Sequence, residues 1–345
     1  LEGRIDRIIL SRPAVEAGRY LTKRSGYLPG RVFAGCCIGW LLVTAGVTGY
    51  DYFVRWGESP DTRAAYFSNL AGVADYLEGT DYSGVVTLSS PFPDLPHDPF
   101  VAELRLHRED LSLRWFDARR AIVFPEADHA LLIVPPNASL ASPFAEQLDV
   151  RHVERVILRR DDVDPYFDVF EWNPGEALSE SLAMTARPVT VGGQSTEPPV
   201  TLGGAVDFVA HDVQGEAVPG GSVMLMTTWR IRGASAQGAR HPLGPVPADA
   251  YGHRVTIFAH LLDANDQVVA QEDRLDAPAW NWHGGEAIAQ IHRLEIGAGV
   301  EPGVYYLEVG IYDNHDPDLA RFPVVLDGEV VGDSLRLQPV EVTGS

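Results

Sequence analysis

Three short stretches of this sequence hold residue types whose spacing could support chemistry. In DAPAWNWHGGE, Trp280, Trp282 and His283 lie on a loop ahead of a predicted strand. Aromatic rings with a polar tip make good stacking surfaces, so this stretch is a candidate glycan-binding loop. The competing structural role is that one tryptophan plugs the end of a sheet while Gly284-Gly285 makes the turn. In YDNHDPD, Asp313, Asn314, His315, Asp316 and Asp318 offer oxygen atoms. The carboxylates of Asp313, Asp316 and Asp318 are weak candidates for a calcium site, since calcium takes about six to eight oxygen ligands. Asp, Asn and Pro are also what a hairpin loop needs. The third stretch holds Asp161, Asp162, Asp164 and Asp168. Paired carboxylates can do acid/base work, but a run of this kind is expected to be a solvated loop. The sequence contains no HExxH, GxSxG, phosphate loop or CxxC, so no catalytic residue, metal site or cofactor is assigned to this chain.

Charge narrows the field further. The formal net charge is −21, yet residues 1 to 31 carry seven arginines and lysines against three acids. That segment is therefore +4 and the remainder −25. An acidic surface of that size repels phosphate backbones, which excludes nucleic acid as a partner. Cys36 and Cys37 are the two cysteines, and sequence neighbours are not joined without severe strain, so no disulfide framework is expected.

Beyond the basic segment the chain turns apolar. From Val32 to Tyr50 no residue is charged, and at helical rise this stretch spans roughly 28 Å, close to a bilayer core. Tyr50, Tyr52 and Phe53 stand where an interfacial aromatic belt belongs. We therefore expect a cytoplasmic basic segment at 1–31 and a transmembrane helix at 32–53, with everything beyond lying outside the cell membrane. Phe33-Ala34-Gly35-Cys36 resembles a lipoprotein box, but its apolar stretch lies after the cysteine instead of before it. The chain opens on Leu1, not Met, which leads us to expect that sequence precedes it.

The outer region reads as two folds. Residues 60–78 place Ala65, Phe67, Leu70, Val73, Ala74 and Leu77 at helical spacing. Strand candidates lie at 84–90, 112–117, 121–124, 129–135, 152–159 and 166–172, with helices at 99–107 and 143–148. This alternation predicts a small α/β domain over 54–175. Residues 176–199 are rich in Gly, Ser, Thr and Pro, the composition of a linker. Beyond them, over 200–345, come eight β-rich runs: VDFVAHDV, VMLMTTWRIR, VTIFAHLLD, QVVAQED, AIAQIHRLEI, VYYLEVGIYD, RFPVVLDG and LRLQPVEV. With turns and no helix between them, they predict an eight-stranded Ig-like or jelly-roll β-sandwich. The fold class expected is thus multidomain α+β behind one transmembrane helix.

The order of several segments resembles the C-terminal part of bacterial GT-C class membrane glycosyltransferases, relatives of protein O-mannosyltransferases and of the aminoarabinose transferase. The segments are the apolar helix running into YDYFVRWGESPDTRAAYF, then SLRWFDARRAIVFPEADHALLIVPP, VTLGGAVDFVAHDVQGEAVPGGSVMLMTTWRI, VTIFAHLLDANDQVVAQEDR, WNWHGGE and GVYYLEVGIYD. They span about residues 30 to 345. The resemblance implies a polyprenyl-phosphate sugar as donor and a catalytic acid on the first outer loop of a many-helix membrane domain. No residue here matches that position. The expected function is then an accessory, non-catalytic extracytoplasmic region of a hexosyltransferase-type enzyme, partnered by the bilayer and by an upstream membrane domain. The rival expectation is a stand-alone single-pass envelope protein whose sandwich binds glycan or a protein partner.

Overall fold

The computed structural model of the chain describes residues 30–95, 97–185, 187–233, 243 and 252–344. These fall into two compact units, 1–63 and 64–345. The basic segment expected at 1–31 lies almost entirely outside the described residues.

In the first unit, α1 (Gly30–Tyr50) passes without a break into a π-helical turn, Asp51–Trp56. The apolar helix Val32–Trp56 is 25 residues long, has a mean hydropathy of 1.8 in its most apolar window, and buries none of that window. It is long and apolar enough to cross a membrane. Its end lies three residues past the expected boundary at 53, because the charges there neutralise one another across one turn. Arg55 donates to Asp51 at 3.0 Å, and Tyr52 stacks on Trp56 with ring centroids 5.0 Å apart.

The second unit is mostly β. The helix expected over 60–78 is split into α2 (Pro60–Ala65), which begins in the first unit, and α3 (Ser68–Gly79), because Phe67 takes a left-handed conformation with φ of 58°. Leu70, Val73, Ala74 and Leu77 form the buried stripe of α3. β1 (Gly84–Ser89), α4 (Asp98–Arg105) and β2 (Leu111–Phe116) make a β-α-β unit with β1 and β2 parallel. β4 (Ala130–Val134) is also parallel to β1, while β6 (Tyr166–Trp172) and β5 (Val150–Ile157) add on antiparallel. The sheet order is β2-β1-β4-β6-β5. One face of this sheet, with Val86, Leu88, Trp115, Leu131, Ile133, Phe167 and Val169, packs under α3 and α4 as a separate small core.

The other face joins the large core. β3 (Ala121–Phe124) sits in sequence among these strands, yet it pairs antiparallel with β14 (Ala287–Glu295), Phe124 opposite Ala287. It is the edge of a seven-stranded sheet that also holds β9 (Val200–Leu202), β10 (Val206–Gln214), β11 (Ser222–Ile231), β16 (Val324–Leu326) and β17 (Glu329–Gly332). A six-stranded sheet holds β7 (Val189–Val191), β8 (Gln194–Thr196), β12 (Val255–Leu262), β13 (Val268–Arg274), β15 (Gly303–Asp313) and β18 (Leu335–Val342). Both sheets share one hydrophobic core with Phe116, Leu132, Phe144 and Trp172 from the first part of the unit. Each of the eight expected runs contains a strand, and β3, β7, β8, β9 and β17 join them, giving thirteen strands in two sheets among the described residues.

Two expectations need correction. Residues 176–199 are not irregular: α6 (Pro174–Thr185; α5, Ser142–Gln147, precedes it) leads into the β7–β8 hairpin. Asn173 accepts the Glu176 amide at 3.1 Å as an N-cap, and Pro174 fills the first helical position. Gly192 and Gly193, at φ of 54° and 85°, make the hairpin turn that only positive φ at both positions allows. Nor do the boundaries at 175 and 199 separate two cores, since 64–345 is one compact unit sharing the large core. The four residues of β3 are apolar and buried throughout, a pattern that fits either sheet equally well.

Candidate functional site

Trp280, Trp282 and His283 part company in the structure. The stretch Ala279–Asn281 is a 3-10 turn, and Asn281 ties it to the free edge of β2: its side-chain oxygen accepts the Trp115 amide at 2.8 Å and its amide donates to the Leu113 carbonyl at 3.3 Å. Trp282 is 5% exposed, belongs to the large core and donates its indole N–H to the Ala277 carbonyl at 2.9 Å. It is the plug at the end of the sheets, and Gly285, at φ of 89°, supplies the turn. His283 is exposed and outside the cleft that Trp280 lines. Trp280 is half-buried, with its indole nitrogen turned inward and without a hydrogen-bond partner.

That cleft has a volume of about 740 Å³. It draws Asp94 and His97 from the loop after β1, Arg254 from the start of β12, Trp280 from the 3-10 turn, and Asn314 and His315 from the end of β15. β1 is parallel to both its neighbours, so this loop leaves the carboxyl end of parallel strands, where crevices in open α/β sheets form. Several walls are fixed by hydrogen bonds. The Asn314 side-chain amide donates to Thr256 Oγ1 at 2.7 Å, and a ring nitrogen of His315 lies 3.0 Å from the Gly252 carbonyl. A Cβ on Gly252 would fall 2.7 Å from Trp280 Cβ, so only glycine lets the strand entry come this close to the tryptophan. His97 packs against Phe92, ring centroids 6.0 Å apart. Partial burial lifts the Asp94 carboxyl above its ordinary range while His97 and Arg254 pull it back, although the residue keeps contact with solvent.

Arg114 and Glu286 close the seam beside this site. Arg114 on β2 donates to Glu286, ahead of β14, at 2.6 Å, with side chains 8% and 4% exposed. Burial pushes Glu286 up to about 7 against the opposing pull of Arg114.

The other candidate acids do not converge. Asp313 accepts the His315 amide and Asp316 the Asp318 amide, each at 2.8 Å, which makes them turn caps. Among the described residues no group of three or more His, Cys, Asp or Glu could hold a metal ion. Asp168 pairs with Arg155 and His152, Asp161 with Arg159, and Asp164 accepts from Asn69 and Asn137. Asp94, His97 and Arg254 were not singled out by the sequence. The available signal was the loop PFPDLPHDP itself, a charged, proline-bound loop leaving a buried strand.

No protein-family model matches the chain, and no curated protein matches it. Among solved structures, one described as the crystal structure of the C-terminal domain of wzt overlaps it with a TM-score of 0.27 and 9% identity. The overlap covers 42% of this chain and 77% of that one, and it is too distant to bear on fold or function.

Proposed function

We propose that this chain is the extracytoplasmic C-terminal region of a membrane glycosyltransferase that uses a polyprenyl-phosphate sugar, tethered by α1 and accessory to a catalytic membrane domain of the same protein. The observation that carries the proposal is the apolar helix Val32–Trp56, with its most apolar window wholly unburied, on a chain whose next unit is compact. Bare apolar surface of that extent is stable in lipid and costly in water. The +4 segment ahead of it and the −25 region behind it set the orientation, N-terminus inside. The two sheets that share a core correspond, in this reading, to an Ig-like or jelly-roll sandwich carrying extra strands.

Transfer from such a donor needs a preorganised group at the lipid phosphate. Three of the four acids buried among the described residues are committed elsewhere: Glu286 to Arg114, Asp98 to Ser90 and Asp117 to Arg119. The test supplies the purified chain with a polyprenyl-phosphate sugar and an acceptor. No transfer is expected from the chain alone, with transfer restored when the upstream membrane domain is present. Turnover by the chain alone, abolished by substituting one of its own acids, overturns the reading.

A further inference from the structure

The cleft around Trp280 is assembled from both parts of the outer unit, so it exists only in the folded whole. We propose that it is a binding site for a neutral saccharide, with a pyranose ring laid against Trp280 and its hydroxyls held between Asp94 and Arg254. A pyranose presents an apolar C–H face and a rim of hydroxyls that both donate and accept. The cleft answers each demand. Trp280 offers the one large aromatic ring among the described residues of its lining, Asp94 only accepts, and Arg254 only donates. Arg254 is exposed, and among the described residues its guanidinium forms no salt bridge within 4.0 Å, which leaves its donors for a ligand. The volume of about 740 Å³ lies within the range of small-molecule sites.

The walls are set before a ligand arrives. Trp280 is held through Asn281 on β2 and through the close approach of Gly252, and Asn314 and His315 are already hydrogen-bonded to the protein. A preorganised wall loses little entropy on binding. Charge decides the class of sugar. The chain carries a net −21, a field that opposes acidic saccharides, whereas a neutral one is not opposed by it and can engage the local Asp94 and Arg254. The site is compatible with either reading of the whole protein, since it needs neither a donor lipid nor a catalytic group.

The test uses the full chain in lipid nanodiscs labelled with 5-fluorotryptophan. Among the seven tryptophans, the Trp280 resonance is assigned from its loss in Trp280→Phe. Mannotriose and galactotriose are titrated as neutral probes and trigalacturonate as the acidic one. The expected result is a saturable shift of the Trp280 resonance with a neutral trisaccharide and a weaker response to trigalacturonate. Arg254→Gln should weaken neutral binding about tenfold, the scale of one hydrogen bond to a charged group. Trp280→Ala should abolish it with the melting temperature of the outer unit kept as a folding control. Arg254 is exposed, so that variant keeps the test valid if Trp280→Ala unfolds. Absence of saturable neutral binding, binding unchanged by Arg254→Gln, or preference for trigalacturonate would each overturn the proposal.

Discussion

Between Val32 and Trp56 the apolar side chains of the most hydrophobic window are bare, whereas from Ala64 onward most strands and helices bury apolar side chains in one of two cores. The sequences of the two regions are not wholly different in kind, since β4, Ala-Leu-Leu-Ile-Val, is as apolar as any stretch of α1. What differs is what covers them. The five-stranded sheet is closed on one face by α3 and α4, and on the other by the large core, most of which comes from strands later in the chain. An apolar segment with such partners belongs to a fold, whereas Val32–Trp56 has none among the described residues and is long and apolar enough to cross a membrane.

The largest effect should come from cutting the second region at the composition boundary. A chain of residues 196–345 lacks β3, β7 and the residues of the first part that fill the large core, so its thermal melt should lose cooperativity altogether. A sharp two-state melt with native β-type circular dichroism would show that the sandwich needs none of them. Next, the two regions should answer one kind of substitution differently. Phe116→Ala, at a side chain 0% exposed between the sheets, should cost about 3–5 kcal/mol in the melt of the outer unit. Leu42→Ala, at a residue 69% exposed on α1, should leave that melt unchanged.

Acid should weaken only the covered region. His211 and His292 are buried and lowered to about 4 by desolvation. The unfolded chain protonates them first, near 6.5, so the stability they represent is present above that value and lost as pH falls toward 4. Each contributes on the order of 3 kcal/mol. Glu286, raised to about 7, acts the other way: its folded form keeps its proton longer, so its share is present below about 4.5 and lost as pH rises through 7. Two histidines against one glutamate leave a net loss of about 3 kcal/mol from pH 7 to 4, measured by denaturant melts. Glu286→Gln should steepen that loss by removing the opposing share. The smallest effect is expected at Arg155→Gln, whose half-exposed pair with Asp168 should be worth under about 1 kcal/mol in the same melts.

Much of this was legible in the sequence, and the failures have causes. Runs such as VMLMTTWRIR and VYYLEVGIYD became β11 and β15 because apolar alternation and turn residues act locally. The helix at 174–185 was hidden by small and polar residues, although Asn173, Pro174 and Glu176 spell its start. β3 illustrates the limit: four buried apolar residues state that a strand is buried, not which sheet receives it. The cleft obeys the same logic. Trp280 was visible as an aromatic on a loop, but its meeting with Asp94, His97 and Arg254 depends on how distant segments pack, which local pattern does not encode.

The central claim is that the bare helix crosses the bilayer and that the covered region lies outside it. The direct test replaces Cys36 and Cys37 by serine and places one cysteine at Val330, 68% exposed on β17. Cells expressing the chain are then treated with a membrane-impermeant maleimide. The account predicts that Val330→Cys is labelled fully in intact spheroplasts, with no gain after permeabilisation. Labelling that appears only once the membrane is opened would contradict it.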